Sequence, residues 1–343
     1  GEFSKRAFLN GKIDLSGAEG IMTLINSRAE QGVTAALNVL EGSLSKELGK
    51  ITESLTEICA HISAWVDYPD DEIEEIDEAE IINTLRKSEG TLQRLLDKFD
   101  SGMAVTTGVD AAIIGKPNAG KSTLMNLLLG YDRSIVTDVK GTTRDVVEET
   151  ANVDGSILRL SDTAGIRDTD DTVEKLGVER SLEKIKRCAV VLAVFDSAEE
   201  LSGEDEELIE LCKGRPVIPI LNKTDKPCLI DKEKIRIALG EPTEISASTG
   251  EGLQELKDRI NTVLGTHDFD PNAAMLANER QRQCCVNALA SIKEAKDALS
   301  MGVTLDAVGV CIDDAISYLL ELTGQKASQA VIDKVFSNFC VGK

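Results

Sequence analysis

The chain has 343 residues, 42% of them hydrophobic but only 3% aromatic, and a formal net charge of −22. That length allows two or three ordinary domains whose cores rest on Leu, Ile, Val and Ala. A chain this acidic repels nucleic acid unless a basic partner or a local patch supplies the attraction.

Gly1, not Met, opens the chain and leads straight into a helix-like segment, so a further N-terminal piece is expected upstream. Residues 13–66 carry Val33, Leu37, Leu40, Leu44, Leu48, Ile51, Leu55, Ile58, Ile62 and Trp65 at steps of three and four. That spacing predicts one long helix, either a core helix of a bundle or one strand of a coiled coil. Asp67 to Glu80 then holds nine acids around Tyr68-Pro69. It reads as a solvated turn with carboxylates near the next helix's N-terminus, or as a cation or partner site. Ile81, Leu85, Leu92, Leu95 and Phe99 mark a second helix, and residues 100–108 read as a linker.

From Val109 the texture changes. Strand candidates at 111–114, 146–152, 157–161, 189–196, 216–221 and 243–247 alternate with helices. The alternation predicts a mostly parallel, doubly wound sheet, and Asp154-Gly155 predicts one antiparallel hairpin at its edge. Leu264 to Asn272 reads as an exit linker, after which helices return around 288–299, 305–319 and 331–339. The expected architecture is an α/β P-loop domain (109–265) inserted in a discontinuous all-α helical domain (1–108 and 266–343).

The inserted part carries the chemistry. Ala111 to Ile114 runs into Gly115-Lys-Pro-Asn-Ala-Gly-Lys-Ser122, followed by a helical stretch. Strand, Gly-x-x-x-x-Gly-Lys-Ser and helix form the phosphate-binding loop pattern. Asn118, Ala119, Gly120, Lys121, Ser122 and Thr123 would line the phosphates. Backbone N–H groups and the helix N-terminus attract the anion, Lys121 reaches the β- and γ-phosphates, and the Ser122 hydroxyl ligates magnesium.

Four more stretches follow in the order a GTPase requires. Thr137, Asp138, Val139, Lys140 and Gly141 lead to Thr142 and Thr143 in a polar segment suited to a switch loop, where a threonine completes the magnesium shell. Asp162, Thr163, Ala164 and Gly165 end a strand; the carboxylate would hold the metal through water and the Gly165 N–H would meet the γ-phosphate. Asn222, Lys223, Thr224 and Asp225 end another strand. The Asp225 carboxylate, buried against the base, would accept from guanine N1–H and the 2-amino group; adenine offers neither, which disfavours an ATPase or kinase. Ser246, Ala247 and Ser248 end the last strand and close on the base.

Two positions depart from Ras-like enzymes. Ile166 stands where those enzymes use glutamine to orient water, so Asp168, Asp170, Asp171 and Glu174 are the candidates for that task. Asn118 either holds a monovalent cation beside the phosphates or only braces the loop.

Eight cysteines without a Cys-x-x-Cys pair, and only two histidines, argue against zinc and suit a reducing cytoplasm. No apolar run approaches the roughly 18 residues of a membrane span, and no signal sequence opens the chain.

The motifs together resemble the tRNA-modification GTPase family MnmE, also called TrmE. The resemblance rests on Gly1 to Lys12, Gly115 to Ser122, Gly141 to Asp145, Asp162 to Arg167 and the terminal Phe339-Cys-Val-Gly-Lys343. It implies a GTPase domain that dimerises across its nucleotide face. It implies potassium held by Asn118, Thr137, Val139 and Thr142, and magnesium held by Ser122 and Thr143. Glu174 becomes the residue that orients water, through a bridging water. The family's N-terminal folate-binding and dimerising domain is expected to be missing, which leaves Lys12 and Lys343 as part of a folate site. The resemblance further implies work with an FAD-containing partner of the MnmG/GidA type on the wobble uridine of certain tRNAs. A tetrahydrofolate derivative would supply the carbon unit, and tRNA would be reached mainly through the complex. Cys340 is either a reactive thiol in that chemistry or a buried structural one; a prenylated tail is disfavoured by the terminal lysine. The alternative reading is a regulatory switch in ribosome assembly. Such switches append a basic RNA-binding module, and the net charge of −22 speaks against one.

Overall fold

The computed structural model describes residues 1–67, 77–130, 149–162, 188–337 and 339. The chain forms two compact units, one from Gly1–Thr106 with Asp270–Lys343 and the other from Thr107–Phe269.

The first unit is helical. Its N-terminal part holds α1 (Glu2–Leu9), α2 (Leu15–Asn26), α3 (Glu30–Leu40), α4 (Ser43–Asp67), α5 (Glu78–Asp97) and α6 (Phe99–Thr106). Two expectations fail here. The single long helix is three. At Ser27 the backbone turns extended (ψ 133°), and Gly42 after α3 adopts φ +84°, so the helical ladder is interrupted twice. Within α3 the buried residues are Gly32, Ala35, Ala36 and Val39, while Val33 and Leu37 face outward. Residues 100–108 are no linker either. Most of that stretch is α6, with Ser101, Gly102, Ala104, Val105 and Thr106 buried. Small side chains let α6 lie close to α3, where a Cβ on Gly32 would stand 2.5 Å from the Val105 carbonyl oxygen.

From α4 onward the stripe holds as far as Ile62, while Trp65 near the end of the helix is exposed. Leu44, Leu48, Ile51, Leu55, Cys59 and Ile62 share one core with Ile81, Leu85, Leu92 and Leu95 of α5. That core is completed by α11 (Glu279–Ser300) and α12 (Leu305–Thr323). The helix is therefore a bundle element, and each buried Leu or Ile contributes about 1.5–3 kcal/mol. Asp77 caps α5 by accepting from Ala79 N at 2.9 Å, with Glu78 and Glu80 in the first turn. This is the favourable placement of carboxylates at a helix N-terminus; residues 68–76 of the acidic run lie outside the described residues. Gly324 closes α12 at φ +90°, and α13 (Gln329–Ser337) packs Ile332 and Phe336 on Leu15 and Ala18.

The second unit is a six-stranded sheet in the order β2-β3-β1-β4-β5-β6. Its strands are β1 (Val109–Ile114), β2 (Glu149–Val153), β3 (Ser156–Asp162), β4 (Val190–Asp196), β5 (Val217–Asn222) and β6 (Thr243–Ile245). Among the described strands only β2 and β3 pair antiparallel, through the hairpin at Asp154 (φ +49°) and Gly155 (φ +103°). The parallel strands need both faces covered, so β4 is buried at all seven positions. Among the described residues, the helices of this unit are α7 (Lys121–Gly130), α8 (Gly203–Cys212), α9 (Lys232–Leu239) and α10 (Leu253–Val263). Thr266, in the expected exit linker, is tied into this unit by Ser156 (2.8 Å) and Asn261 (3.0 Å). Among the described residues no helix is long and apolar enough to cross a membrane.

Candidate functional site

The site is built at the carboxyl ends of β1, β5 and β6, where open α/β sheets bind ligands. β1 ends at Ile114, and the loop from Gly115 turns back into α7 at Lys121. The loop follows tightly on the sheet: a Cβ at Gly115 would stand 2.4 Å from the Val194 carbonyl oxygen. Asn118 takes φ +61° and Gly120 φ +95°, so the turn depends on residues that tolerate the left-handed region. Lys121 donates to the Gly115 carbonyl (2.9 Å) and the Lys116 carbonyl (2.8 Å). Its ammonium is thereby folded over the loop, beside the position an anion would take. Ser122 and Thr123 lie exposed in the first turn of α7, while Ala119 is buried.

The base-side residues are joined to this loop by one side chain. Asn222 is 2% exposed. Its Nδ2 donates to the Ala119 carbonyl (2.8 Å), and its Oδ1 accepts from Ala247 N (3.0 Å). The Asn-Lys-x-Asp turn thus connects the phosphate loop to the Ser-Ala-Ser turn. Lys223 sits at φ +66° and pairs with Asp196 at 2.5 Å. Thr224 N donates to the Ile245 carbonyl at 3.3 Å. Asp225 accepts from Ser246 Oγ (2.6 Å) and, at 3.5 Å, from Ser248 Oγ. The Ser246 bond chiefly holds its carboxyl below the usual range. Asp225 is exposed rather than buried; only a base seated on it would remove it from water.

The structure brings together residues 115–123, 222–225 and 246–248. Thr137, Asp138, Val139, Lys140, Gly141, Thr142, Thr143, Thr163, Ala164, Gly165, Glu174, Cys340 and Lys343 lie outside the described residues. Asp162 is placed only as the last residue of β3. Lys12 is exposed in the turn between α1 and α2, in the helical unit. Two partners escaped the sequence reading. Asp196 and Lys223 are 27 residues apart, and Lys116 and Asp205 are 89 apart. The one local signal was that Asp196 ends an apolar strand.

The groups present fit a nucleoside triphosphate with magnesium. The loop is closed so tightly that a Cβ on Gly120 would fall 2.1 Å from Asn222 Nδ2. Ser122 offers the hard hydroxyl oxygen that magnesium favours.

A mostly parallel sheet with one antiparallel edge, a phosphate loop and a base-side Asn-Lys-x-Asp turn together define a P-loop GTPase domain. It is inserted in a helical one. The family model described as "MnmE helical domain" matches residues 15–340. The chain is 41% identical over 346 residues to the tRNA modification GTPase MnmE of Alkaliphilus oremlandii, covering 100% of this chain and 75% of that protein. It is 40% identical over 345 residues to the same-named protein of Lactococcus lactis, with the same coverage. The G domain of the T. maritima FeoB iron transporter is similar at 29% identity and a TM-score of 0.35, over 45% of this chain and 98% of that one. The chain belongs to the MnmE family of tRNA modification GTPases.

Proposed function

We propose that this chain binds GTP across the Gly115–Thr123 loop and the Asn222–Asp225 turn and hydrolyses it to drive modification of the wobble uridine of certain tRNAs. The observation that carries the nucleotide reading is the Asn222 side chain, bonded at once to Ala119 and Ala247. It keeps the phosphate loop and the guanine acceptor Asp225 in register. Specificity follows from Asp225, whose carboxylate pairs with two donors that adenine lacks.

Ser122 and Thr143 would hold magnesium, which would supply charge to offset that of the phosphates. Lys121, resting on the Gly115 and Lys116 carbonyls, donates a further N–H to the phosphates, and Glu174 orients water through a second water. Asn118, Thr137, Val139 and Thr142 would hold potassium, which would supply the positive charge that other GTPases take from an arginine. The product is of the 5-carboxymethylaminomethyl or aminomethyl type. It is made in the cytoplasm with an FAD-containing MnmG/GidA-type partner and a tetrahydrofolate derivative, toward which Lys12 and Lys343 contribute. Two copies associate through their GTPase domains, and Cys340 acts as a thiol in the modification.

The test is titration with GDP and ADP, then hydrolysis of GTP in potassium and in sodium. Guanine preference above about 100-fold that collapses in Asp225→Ala supports the nucleotide reading. Equal affinity for ADP sinks it, and equal rates in the two salts sink the cation site alone.

A further inference from the structure

Lys116 is the first residue after Gly115, yet its side chain turns away from the phosphate position. It is 11% exposed and pairs with Asp205 at 3.1 Å and Glu199 at 2.8 Å. Asp205 is completely buried on the first turn of α8. One of its oxygens, Oδ2, accepts from Ser202 N (2.9 Å), Ser202 Oγ (2.7 Å) and Lys116 Nζ. The other, Oδ1, is buried with no hydrogen-bond partner among the described residues.

A buried carboxylate with one bare oxygen is an expensive way to cap a helix. An asparagine would accept the same two Ser202 bonds without a buried charge. What the charge adds is the grip on Lys116. The main chain at Lys116 is in turn the acceptor for Lys121, whose ammonium rests on its carbonyl at 2.8 Å. Movement of residue 116 therefore moves the phosphate-binding lysine.

We infer that Asp205 is a positioning residue of the nucleotide site: from the N-terminus of α8 it clamps Lys116 and so holds the phosphate loop in its binding shape before nucleotide arrives. The clamp deepens the proposed GTP-binding reading and rests on it. It also means that Lys116 is not a second phosphate-binding cation, because its ammonium is engaged by two carboxylates. Without the clamp, the loop's ordering has to be met at the moment of binding, which lowers affinity and leaves the chemical step untouched.

The test compares wild type, D205N, K116M and K116M/D205N in binding of a fluorescent GDP analogue, in kcat at saturating GTP, and in thermal unfolding. D205N keeps the cap and removes the charge. It is expected to weaken GDP about tenfold with kcat within about twofold, and K116M to weaken GDP by a similar factor. The double variant is expected to be no weaker than either single one, since coupled residues are not additive. GDP affinity of D205N within about twofold of wild type overturns the clamp, and so do losses that multiply in the double variant. If D205N does not fold, K116M alone decides, and unchanged affinity overturns the inference. A wild-type chain that ignores nucleotide would overturn both readings; nucleotide binding by wild type with no change in D205N overturns this one alone.

Discussion

Gly120→Ala tests the joint between the phosphate loop and the base-side turn. Gly120 adopts φ +95°, a conformation that costs an alanine about 1–2 kcal/mol. Its new Cβ would lie 2.1 Å from Asn222 Nδ2. The amide must swing out, breaking its 2.8 Å bond to the Ala119 carbonyl and its 3.0 Å bond from Ala247 N. Both groups are buried, and each left unsatisfied costs about 1–3 kcal/mol. The expected loss in the α/β unit is about 3–5 kcal/mol after partial relaxation. For a unit of this size that is a fall in Tm of roughly 6–20 °C. Gly203→Ala is the control, because a Cβ there meets nothing within 4 Å; its Tm should stay within about 2 °C of wild type. Scanning calorimetry with and without GDP reads both effects, and G120A should also lose most of its GDP stabilisation. A G120A protein that melts with the control and binds GDP normally would refute the account of this joint.

In the helical unit, Glu19 accepts from Arg280 at 2.7 Å on both oxygens and from Gln281 at 2.7 Å. Arg280 also donates to the Glu321 and Leu322 carbonyls at the end of α12. Glu19→Ala leaves a largely buried guanidinium without a counter-charge and should cost about 3–5 kcal/mol in urea unfolding; a loss under about 1 kcal/mol would show that the pair is screened. Burial and the Asp313 carboxylate push the Cys59 thiol up to about 11, and burial pushes Cys212 to about 11 and Cys285 to about 12. Iodoacetamide at about pH 8 should therefore label exposed Cys228 at least tenfold faster than those three. Equal labelling would mean that the core opens readily. The same thiols ionise at lower pH when unfolded, so their contribution to stability is whole below about pH 9 and is lost as pH rises toward 11–12. Urea midpoints at the two ends of that range check the sign.

The strands and the nucleotide motifs were legible because each is local. Ala111 to Ile114 is buried on both faces, so it reads as an unbroken apolar run, and the glycines of the phosphate loop must sit where only glycine fits. Asp154-Gly155 specified its hairpin for the same reason. The helical unit was legible only where one face meets one core. The Leu44–Ile62 stripe was right, but extending it back through Leu37 and Val33 was not. Periodicity continues across Gly42 in sequence, while the chain direction does not. Residues 100–108 read as a linker because small polar residues mark turns in isolation; in the fold the small side chains up to Thr106 let α6 press against α3.

Sequence alone determined the nucleotide class, since its motifs depend on backbone shape over a few residues. Tertiary structure decided what holds the motifs in place. The pairs Glu19–Arg280, Asp196–Lys223 and Asp205–Lys116 join positions far apart in the chain, and a charge that is solvated in the unfolded chain finds its partner only when burial removes the water between them.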